Sequence, residues 1–214
     1  PTPDTRVEVT QHFMEFGKTA LGKQTVLCKD TPAFIGNRIG VMSGSETFLL
    51  TEKYEFSVEE VDALTGSLIG RPNTATFRLQ DLVGLDTSDN VSRFVTENVK
   101  GDRYIDQLKE KPTPKFMRFL LDNKFLGNKT DKGFYEKTNK KDEHGKTIIN
   151  ALNLQTLTYA PTTKPKMEVV RTAKGMELMN KRLQYLVDGD SREQQFFKDY
   201  FGALFSYAAA RVPE

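Results

Sequence analysis

Residues 30–41, "DTPAFIGNRIGV", mark the point at which the pattern of the chain changes from one helix and one strand to a series of helices. Asp30 or Thr31 can cap the free N–H groups of a helix, and Pro32 suits the first helical position, where its missing donor costs nothing. We therefore expect a helix to begin here and to carry an Asn-Arg pair close to its start.

Two glycines, Gly36 and Gly40, lie inside this expected helix. Each costs about 1 kcal/mol relative to Ala in a helix interior. Glycines at such positions usually mean that something approaches the backbone closely. That neighbour is either another helix of the same chain, or a ligand or second domain, and the position alone favours helix packing.

Upstream of this stretch the sequence predicts one helix and one strand. Residues 4–21 have apolar side chains on one side of a helix, and residues 23–29, "KQTVLCK", are typical of a strand. One strand cannot satisfy the hydrogen bonds of its own backbone. We interpret this pair as the tail end of an α/β domain whose body is missing from the sequence.

Downstream, the pattern is mainly helical as far as residue 125, with a long apolar helix over 39–53 and a capping box formed by Ser57 and Glu60. A strand over 129–137, a charged hairpin tip and returning strands follow. Residues 164–214 are helical again, and the last helix has too broad an aromatic surface to remain without a partner. It can fold back on its own chain or pair with a second copy, and we expect a homodimer.

The composition indicates a folded protein with a packed core. The chain has 214 residues, of which 37% are hydrophobic, and a net charge of +2 with a pI near 8.6. This near balance argues against a dedicated nucleic-acid binder. The single Cys28 excludes an intramolecular disulfide and a Cys-based zinc site, and it fits a reducing compartment.

Targeting signals are absent from the sequence. No apolar run approaches the roughly 20 residues needed to span a bilayer, and no signal peptide opens the chain. We expect a cytoplasmic location and no membrane insertion. Because the chain starts at Pro1 without an initiator Met, we also expect a processed product or a piece of something longer.

Common catalytic motifs are also absent: there is no dinucleotide-binding glycine motif, P-loop, nucleophile elbow or zinc-protease motif. We assign no catalytic role to His12 or His144. The pair Glu59/Glu60 is better explained by the electrostatics of a helix start. Lys129 lies between glycines in "LGNKTDKGF", where a loop can approach an anion, although a surface lysine is the simpler interpretation.

Three segments in order resemble the C-terminal part of the L-3-hydroxyacyl-CoA dehydrogenases of fatty-acid β-oxidation. They are "GKQTVLCKDTPAFIGNRI", "VDALTGSLIGRPNTATFRLQDLVGLDT" and "LLDNKFLGNKTDKGFYEK". The resemblance covers the chain from Pro1 to about Lys137. Beyond it, the linker "LNLQTLTYAPTTKPK" and the segment "QFFKDYFGALFSYAAARVPE" are similar to the large dehydrogenases that carry a duplicated helical domain and a fused enoyl-CoA hydratase.

The resemblance implies a mainly α fold with a helical domain similar to the C-terminal domain of 6-phosphogluconate dehydrogenase. Residues 1–29 would be the last helix and strand of an NAD-binding Rossmann domain, and residues 30–137 the helical dehydrogenase domain. Residues 138–163 would form a small β-hairpin and linker, and residues 164–214 a helical extension that begins a second repeat.

The resemblance also implies site residues. The Asn of the family's Asn-Arg pair takes part in the active site at the domain junction, which carries over to Asn37. The lysine of the closing motif contacts NAD, which carries over to Lys129, and the family's His–Glu catalytic pair would lie upstream of Pro1. The substrate would be an acyl-CoA, and the chain alone would be inactive.

Departures from the family pattern leave alternatives open. Ala33 and Gly36 replace a Gly and a branched aliphatic residue, and "RPNTATF" replaces "YPMGPF", which puts substrate preference in doubt. The main alternative is a stand-alone helical assembly module without catalytic activity, and another dehydrogenase with a helical C-terminal domain is the third interpretation.

Overall fold

The computed structural model of the chain describes residues 1–212; Pro213 and Glu214, the end of the expected 164–214 extension, lie outside the described residues. The fold is mainly α, as expected. The helices are α1 Val7–Thr19, α2 Gly36–Lys53, α3 Val58–Thr65, α4 Phe77–Val83, α5 Leu85–Asn98, α6 Arg103–Glu110, α7 Lys115–Asp122, α8 Glu168–Lys174, α9 Met179–Asp188 and α10 Arg192–Arg211. The strands are β1 Tyr135–Lys141, β2 Thr147–Leu152 and β3 Tyr159–Pro161.

The segment before α2 contains the expected helix but not the expected strand. α1 confirms the helix, whereas residues 23–29 have no regular structure. The prediction of a strand here was wrong, because no strand in the described part of the chain lies beside this segment to pair with its backbone. The segment instead turns back along α1, where the Thr25 hydroxyl donates to the Met14 carbonyl at 3.3 Å.

The start of α2 also differs from the prediction. The helix begins at Gly36 rather than at Pro32, and neither Asp30 nor Thr31 caps it. The reason is the backbone between them, because Ala33 and Phe34 have φ values of +65° and +49° and cannot continue a right-handed helix. The Asn-Arg pair therefore lies at the second and third residues of α2.

The predicted features that depend on local side-chain chemistry are confirmed. Ser57 and Glu60 form the expected capping box at the start of α3. Ser191 and Gln194 form a second capping box at the start of α10. The expected hairpin is present, but its first strand, β1, begins at Tyr135 rather than at residue 129, because Asn128–Thr130 form a 3₁₀ turn. β3 extends the hairpin to a three-stranded antiparallel sheet with the order β1-β2-β3.

A core of aromatic side chains joins the helices and the sheet. Phe77, Phe116 and Phe134 are fully buried and pack around the ring of Phe48, with ring centroids between 4.4 and 6.2 Å apart. The same core includes buried residues of α8, α9 and α10. The division into domains at residues 29, 137 and 163 stays a prediction.

The aromatic surface of α10 is largely covered by the chain itself. Phe196, Phe197 and Tyr200 are buried in the core, and the Tyr200 hydroxyl lies 2.8 Å from the Ser43 hydroxyl of α2. Phe205 stacks on Phe201 and is still 64% exposed. Of the two ways to cover this helix, folding back on its own chain therefore accounts for most of the aromatic side chains.

Candidate functional site

A groove of about 480 Å³ runs along α2 and is bounded by α4, α5 and the segment from α6 to α7. Its lining is mainly apolar and also contains polar side chains. The lining residues on α2 are Asn37, Gly40, Val41, Gly44, Ser45, Phe48 and Leu49. Because these residues are spaced by three or four along one helix, they lie on one face.

Asn37 lines the groove from the exposed first turn of α2. Its side chain makes no hydrogen bond to another residue within residues 1–212. A carboxamide has two donors and an acceptor with two lone pairs, so this side chain is available for a polar ligand group. The structure therefore places Asn37 where it can contact a bound molecule.

The two glycines of the opening stretch do not serve helix packing. A Cβ atom added at Gly36 or Gly40 would meet nothing within 4 Å in the described part of the chain. The preference for helix–helix packing was therefore wrong. Gly40 instead lines the groove next to Asn37, which leaves room for a ligand or a second domain.

Lys129 does not line this groove. It lies in the turn before β1 and forms an ion pair with Asp86 in the first turn of α5. Both side chains are partly exposed, and the hydrogen bond from the Lys129 ammonium lowers the pKa of Asp86. The structure thus brings Lys129 together with the "DLVGLD" motif rather than with Asn37.

A buried carboxylate, that of Asp81, connects the second and third motifs of the resemblance. Asp81 Oδ1 accepts the N–H of Phe134 at 2.9 Å, and Oδ2 accepts that of Tyr135 at 2.8 Å. Gly133 and Gly127 make this approach possible, because a Cβ atom at either position would lie less than 2.5 Å from an Asp81 atom. Burial raises the pKa of Asp81 to about 6, although both backbone N–H groups favour the charged form.

A second carboxylate, that of Asp62, likewise accepts backbone N–H groups, in this case those at the start of α4. It accepts the three backbone N–H groups of residues 76–78, at distances from 2.7 to 3.2 Å, and so caps α4 from α3. The Tyr135 hydroxyl also donates to Asp62, at 2.8 Å. Burial raises the pKa of Asp62. Since all these partners are structural, we assign Asp62 and Asp81 to the architecture that supports the groove.

Comparison with known proteins identifies the helical region. Residues 34–137 match the family model of the 3-hydroxyacyl-CoA dehydrogenase C-terminal domain. The chain carries this dehydrogenase domain. The match begins just before α2 and ends in β1, so it contains the groove, Asn37 and Lys129.

Relatives of this dehydrogenase domain extend the likeness beyond the matched region. The chain is 40% identical over 198 residues to a probable 3-hydroxyacyl-CoA dehydrogenase of Bacillus subtilis, covering 90% of this chain and 23% of that protein. It is 36% identical over 135 residues to the human mitochondrial hydroxyacyl-coenzyme A dehydrogenase, covering 63% of this chain and 40% of that protein.

A third relative is a putative fatty acid oxidation complex trifunctional enzyme of Rickettsia prowazekii. It is 25% identical over 207 residues, which cover 96% of this chain and 26% of that protein. The chain thus spans less than half of the length of each of these relatives.

Other features of the described residues give no second candidate site. His12 and His144 are exposed and lie outside the groove. Within residues 1–212, no group of three His, Cys, Asp or Glu side chains could hold a metal ion. Over the same residues, no helix combines the length and apolar character that crossing a membrane requires.

Asp81, which is buried, and Asp62, which is partly exposed, were not among the residues predicted from the sequence. Both lie in the second motif, and Asp81 opens the quoted "DLVGLD" segment. A signal was available, since an acidic residue inside an otherwise apolar helical segment requires hydrogen-bond donors when it is buried. The donors to Asp81 are 53 and 54 residues away along the chain and were not predictable, whereas the backbone donors to Asp62 are 14 to 16 residues away.

Proposed function

We propose that this chain works as the C-terminal part of an NAD-dependent enzyme of fatty-acid β-oxidation that oxidises an L-3-hydroxyacyl-CoA to a 3-ketoacyl-CoA. The observation that carries the proposal is the position of Asn37 within the matched domain, exposed at the edge of a 480 Å³ groove. The mainly apolar lining of the groove suits the acyl part of such a substrate.

In this proposal Asn37 orients the reacting groups. Its carboxamide can donate to the substrate's oxygen and accept from the general base that removes the hydroxyl proton. The groove lining contains no histidine, so the base has to come from outside the groove, as the family's His–Glu pair would. When bound, NAD supplies the acceptor for the hydride.

Lys129 is the residue that we propose to contact the cofactor. Its ammonium is partly exposed beside the turn at Gly84 and is already paired with a carboxylate, that of Asp86. A cation in such a position fits the anionic phosphates of a dinucleotide. Asp86 would then hold the lysine in position while the cofactor is absent.

A chimera tests the proposal. The whole chain replaces the matching 198-residue segment of the Bacillus subtilis relative, and the absorbance of NADH is followed with an L-3-hydroxyacyl-CoA. We expect activity, and Asn37→Ala should lower kcat by roughly a hundredfold, which corresponds to the loss of one active-site hydrogen bond. Asn139→Ala, at an exposed hairpin position outside the groove, is the matched control and should leave kcat unchanged.

The alternative, a helical assembly module without catalysis, makes a different prediction. A folded chimera that binds NAD but yields no NADH would favour it and would contradict the dehydrogenase proposal. The 214-residue chain alone should not reduce NAD under either interpretation, because α1 and the irregular segment after it are no Rossmann domain. Reduction of NAD by that chain alone would contradict the proposal that the chain supplies only the C-terminal part of the enzyme.

We also propose a homodimer. Phe205 and Val212 at the end of α10, together with Leu178 before α9, are between 64% and 83% exposed, and burying such side chains is favourable at roughly 25 cal/mol per Å². Light scattering over a dilution series should give twice the mass of the chain. A monomer at tens of micromolar would rule the dimer out.

The proposed location is the cytoplasm. Cys28 is a free cysteine, which fits a reducing compartment. Cell fractionation with marker enzymes for each compartment checks this, and recovery with a membrane or secreted fraction would contradict it.

A further inference from the structure

The first turn of α2 has few local anchors, although it carries Asn37. No side chain caps its free N–H groups, and the residue before the helix, Ile35, is itself in a helical conformation. Phe34 and Ile35 are 54% and 49% exposed, so the approach to the helix is not held by packing. Another contact must fix the orientation of this turn.

That contact comes from Arg38, the residue next to Asn37. Its Nη2 and Nε atoms donate to Asp102 Oδ2 at 2.7 and 3.3 Å. The Arg38 side chain is 11% exposed and that of Asp102 is 1% exposed, so the pair is shielded from water. The other oxygen of Asp102 caps α6, accepting the N–H groups of Tyr104 and Ile105 at 3.1 and 3.2 Å.

The end of α10 completes this cluster. The Tyr207 hydroxyl donates to Asp102 Oδ2 at 2.7 Å and accepts from Arg38 Nε at 3.2 Å. Arg211 Nη1 lies 3.3 Å from the same carboxylate oxygen. The ring of Tyr207 packs edge-on against Tyr104, with centroids 5.4 Å apart.

The charges of the cluster depend on one another. Burial by itself would raise the pKa of Asp102, but the hydrogen bonds from Arg38 and Tyr207 outweigh it and lower the pKa, so the carboxylate is ionised at neutral pH. A hydrogen bond to a charged group is stronger than one between neutral groups, so the Tyr207 hydroxyl helps to hold Asp102 and Arg38 in place. The cluster is therefore sensitive to the loss of the single Tyr207 hydroxyl.

We propose that the end of α10 is a positioning element for Asn37: Tyr207, through Asp102, holds Arg38 and thereby fixes the first turn of α2. The inference rests on the catalytic role of Asn37 proposed above. α10 lies outside the matched residues 34–137, so this contact adds a function for the C-terminal helix that the domain match does not include.

Hydrogen exchange in the 214-residue chain tests the structural half of this proposal. Tyr207→Phe removes the hydroxyl and keeps the ring, and we expect the amides of residues 39–41 to exchange about tenfold faster, as the loss of one hydrogen bond to a charged group implies. Tyr200→Phe is the matched control, because it removes a hydroxyl contact between the same two helices at Ser43. Tyr200→Phe should leave the exchange rates of residues 39–41 unchanged. If Tyr207→Phe also leaves these rates as they are in the unmodified chain, the proposal is overturned.

Kinetics of the chimera test the functional half. Tyr207→Phe should lower kcat by about tenfold and leave the KM for NAD unchanged, because a misplaced Asn37 affects the chemical step and not cofactor binding. Faster exchange with an unchanged kcat, in a chimera where Asn37→Ala still loses activity, would overturn the positioning role and leave the proposed function intact. An Asn37→Ala chimera with full activity would overturn both.

Discussion

Gly133→Ala tests whether the contact between Asp81 and the third motif supports the fold. A Cβ atom at Gly133 would lie 2.1 Å from Asp81 Oδ1 and 2.7 Å from the Cα atom of Gly127. Since an ordinary contact needs at least 3.4 Å, the carboxylate oxygen would have to move by more than about 1 Å. Such a shift breaks its hydrogen bond to the Phe134 N–H, now 2.9 Å long, and disturbs the one to Tyr135.

The magnitude of the effect follows from these two losses. Overpacking costs about 1–3 kcal/mol, and each buried N–H left without an acceptor costs about 1–3 kcal/mol. Because the surrounding loop can relax in part, we expect Gly133→Ala to lower the free energy of unfolding by about 4 kcal/mol. That is a large share of the roughly 5–15 kcal/mol typical of a folded protein.

Urea denaturation followed by circular dichroism measures the effect, with Gly202→Ala as the matched control. Gly202 is an exposed residue of α10 where a Cβ atom would meet nothing within 4 Å, so this change should stabilise the protein by about 0.5–1 kcal/mol. In an Asp81→Ala background the clash with the carboxylate is gone and only the 2.7 Å approach to the Gly127 Cα atom remains, so Gly133→Ala should cost less there. The argument would be refuted if the changes in the free energy of unfolding were additive in the double variant, or if Gly133→Ala alone lowered it by less than about 1 kcal/mol.

Three further predictions concern pH, the cofactor and a helix cap. Because the pKa of Asp81 is raised to about 6 in the folded state, the stability that it contributes is full below about pH 4 and is lost as the pH rises through 6. Between pH 4 and pH 7.5, urea titrations should therefore show the free energy of unfolding of the unmodified chain falling by roughly 2 kcal/mol relative to that of Asp81→Asn. The same pH dependence in both proteins would contradict this. In the chimera, Lys129→Ala should raise the KM for NAD about tenfold at constant kcat, whereas Lys174→Ala, on an exposed side of α8, should not. Ser191→Ala should lower the free energy of unfolding by about 1 kcal/mol, measured in the same urea assay, because it removes the cap of α10.

The parts of the fold that the sequence predicted rest on local chemistry. The capping box of Ser57 and Glu60 needs only two side chains three residues apart, and the hairpin tip needs only a charged, Gly-containing turn. Residues 23–29 have the composition of a strand but lack a neighbouring strand among the described residues, which no composition can reveal. The start of α2 was misplaced because two non-glycine residues there adopt positive φ, and nothing in their side chains indicates such a backbone conformation.

The candidate site was predictable only through the resemblance. Asn37 lines the groove, whereas Lys129 is held by Asp86 and does not line it, and the roles of both residues stay predictions. The contacts of Asp81 and Asp102 cross 53 and 105 residues of sequence, and no local pattern indicates such partners. The sequence therefore does not indicate the long-range contacts of buried charged groups.

These contacts also explain why three short motifs identify the domain so well. The second and third motifs are in contact, through Asp81 with the backbone of residues 134 and 135 and through Asp86 with Lys129, so these residues serve the architecture. The first motif differs, because in our proposal the two residues of its Asn-Arg pair have separate tasks. Arg38 points into a buried cluster, while Asn37 remains exposed at the groove. A side chain that has to orient a substrate must be held firmly without using its own polar atoms, and anchoring the adjacent residue achieves this.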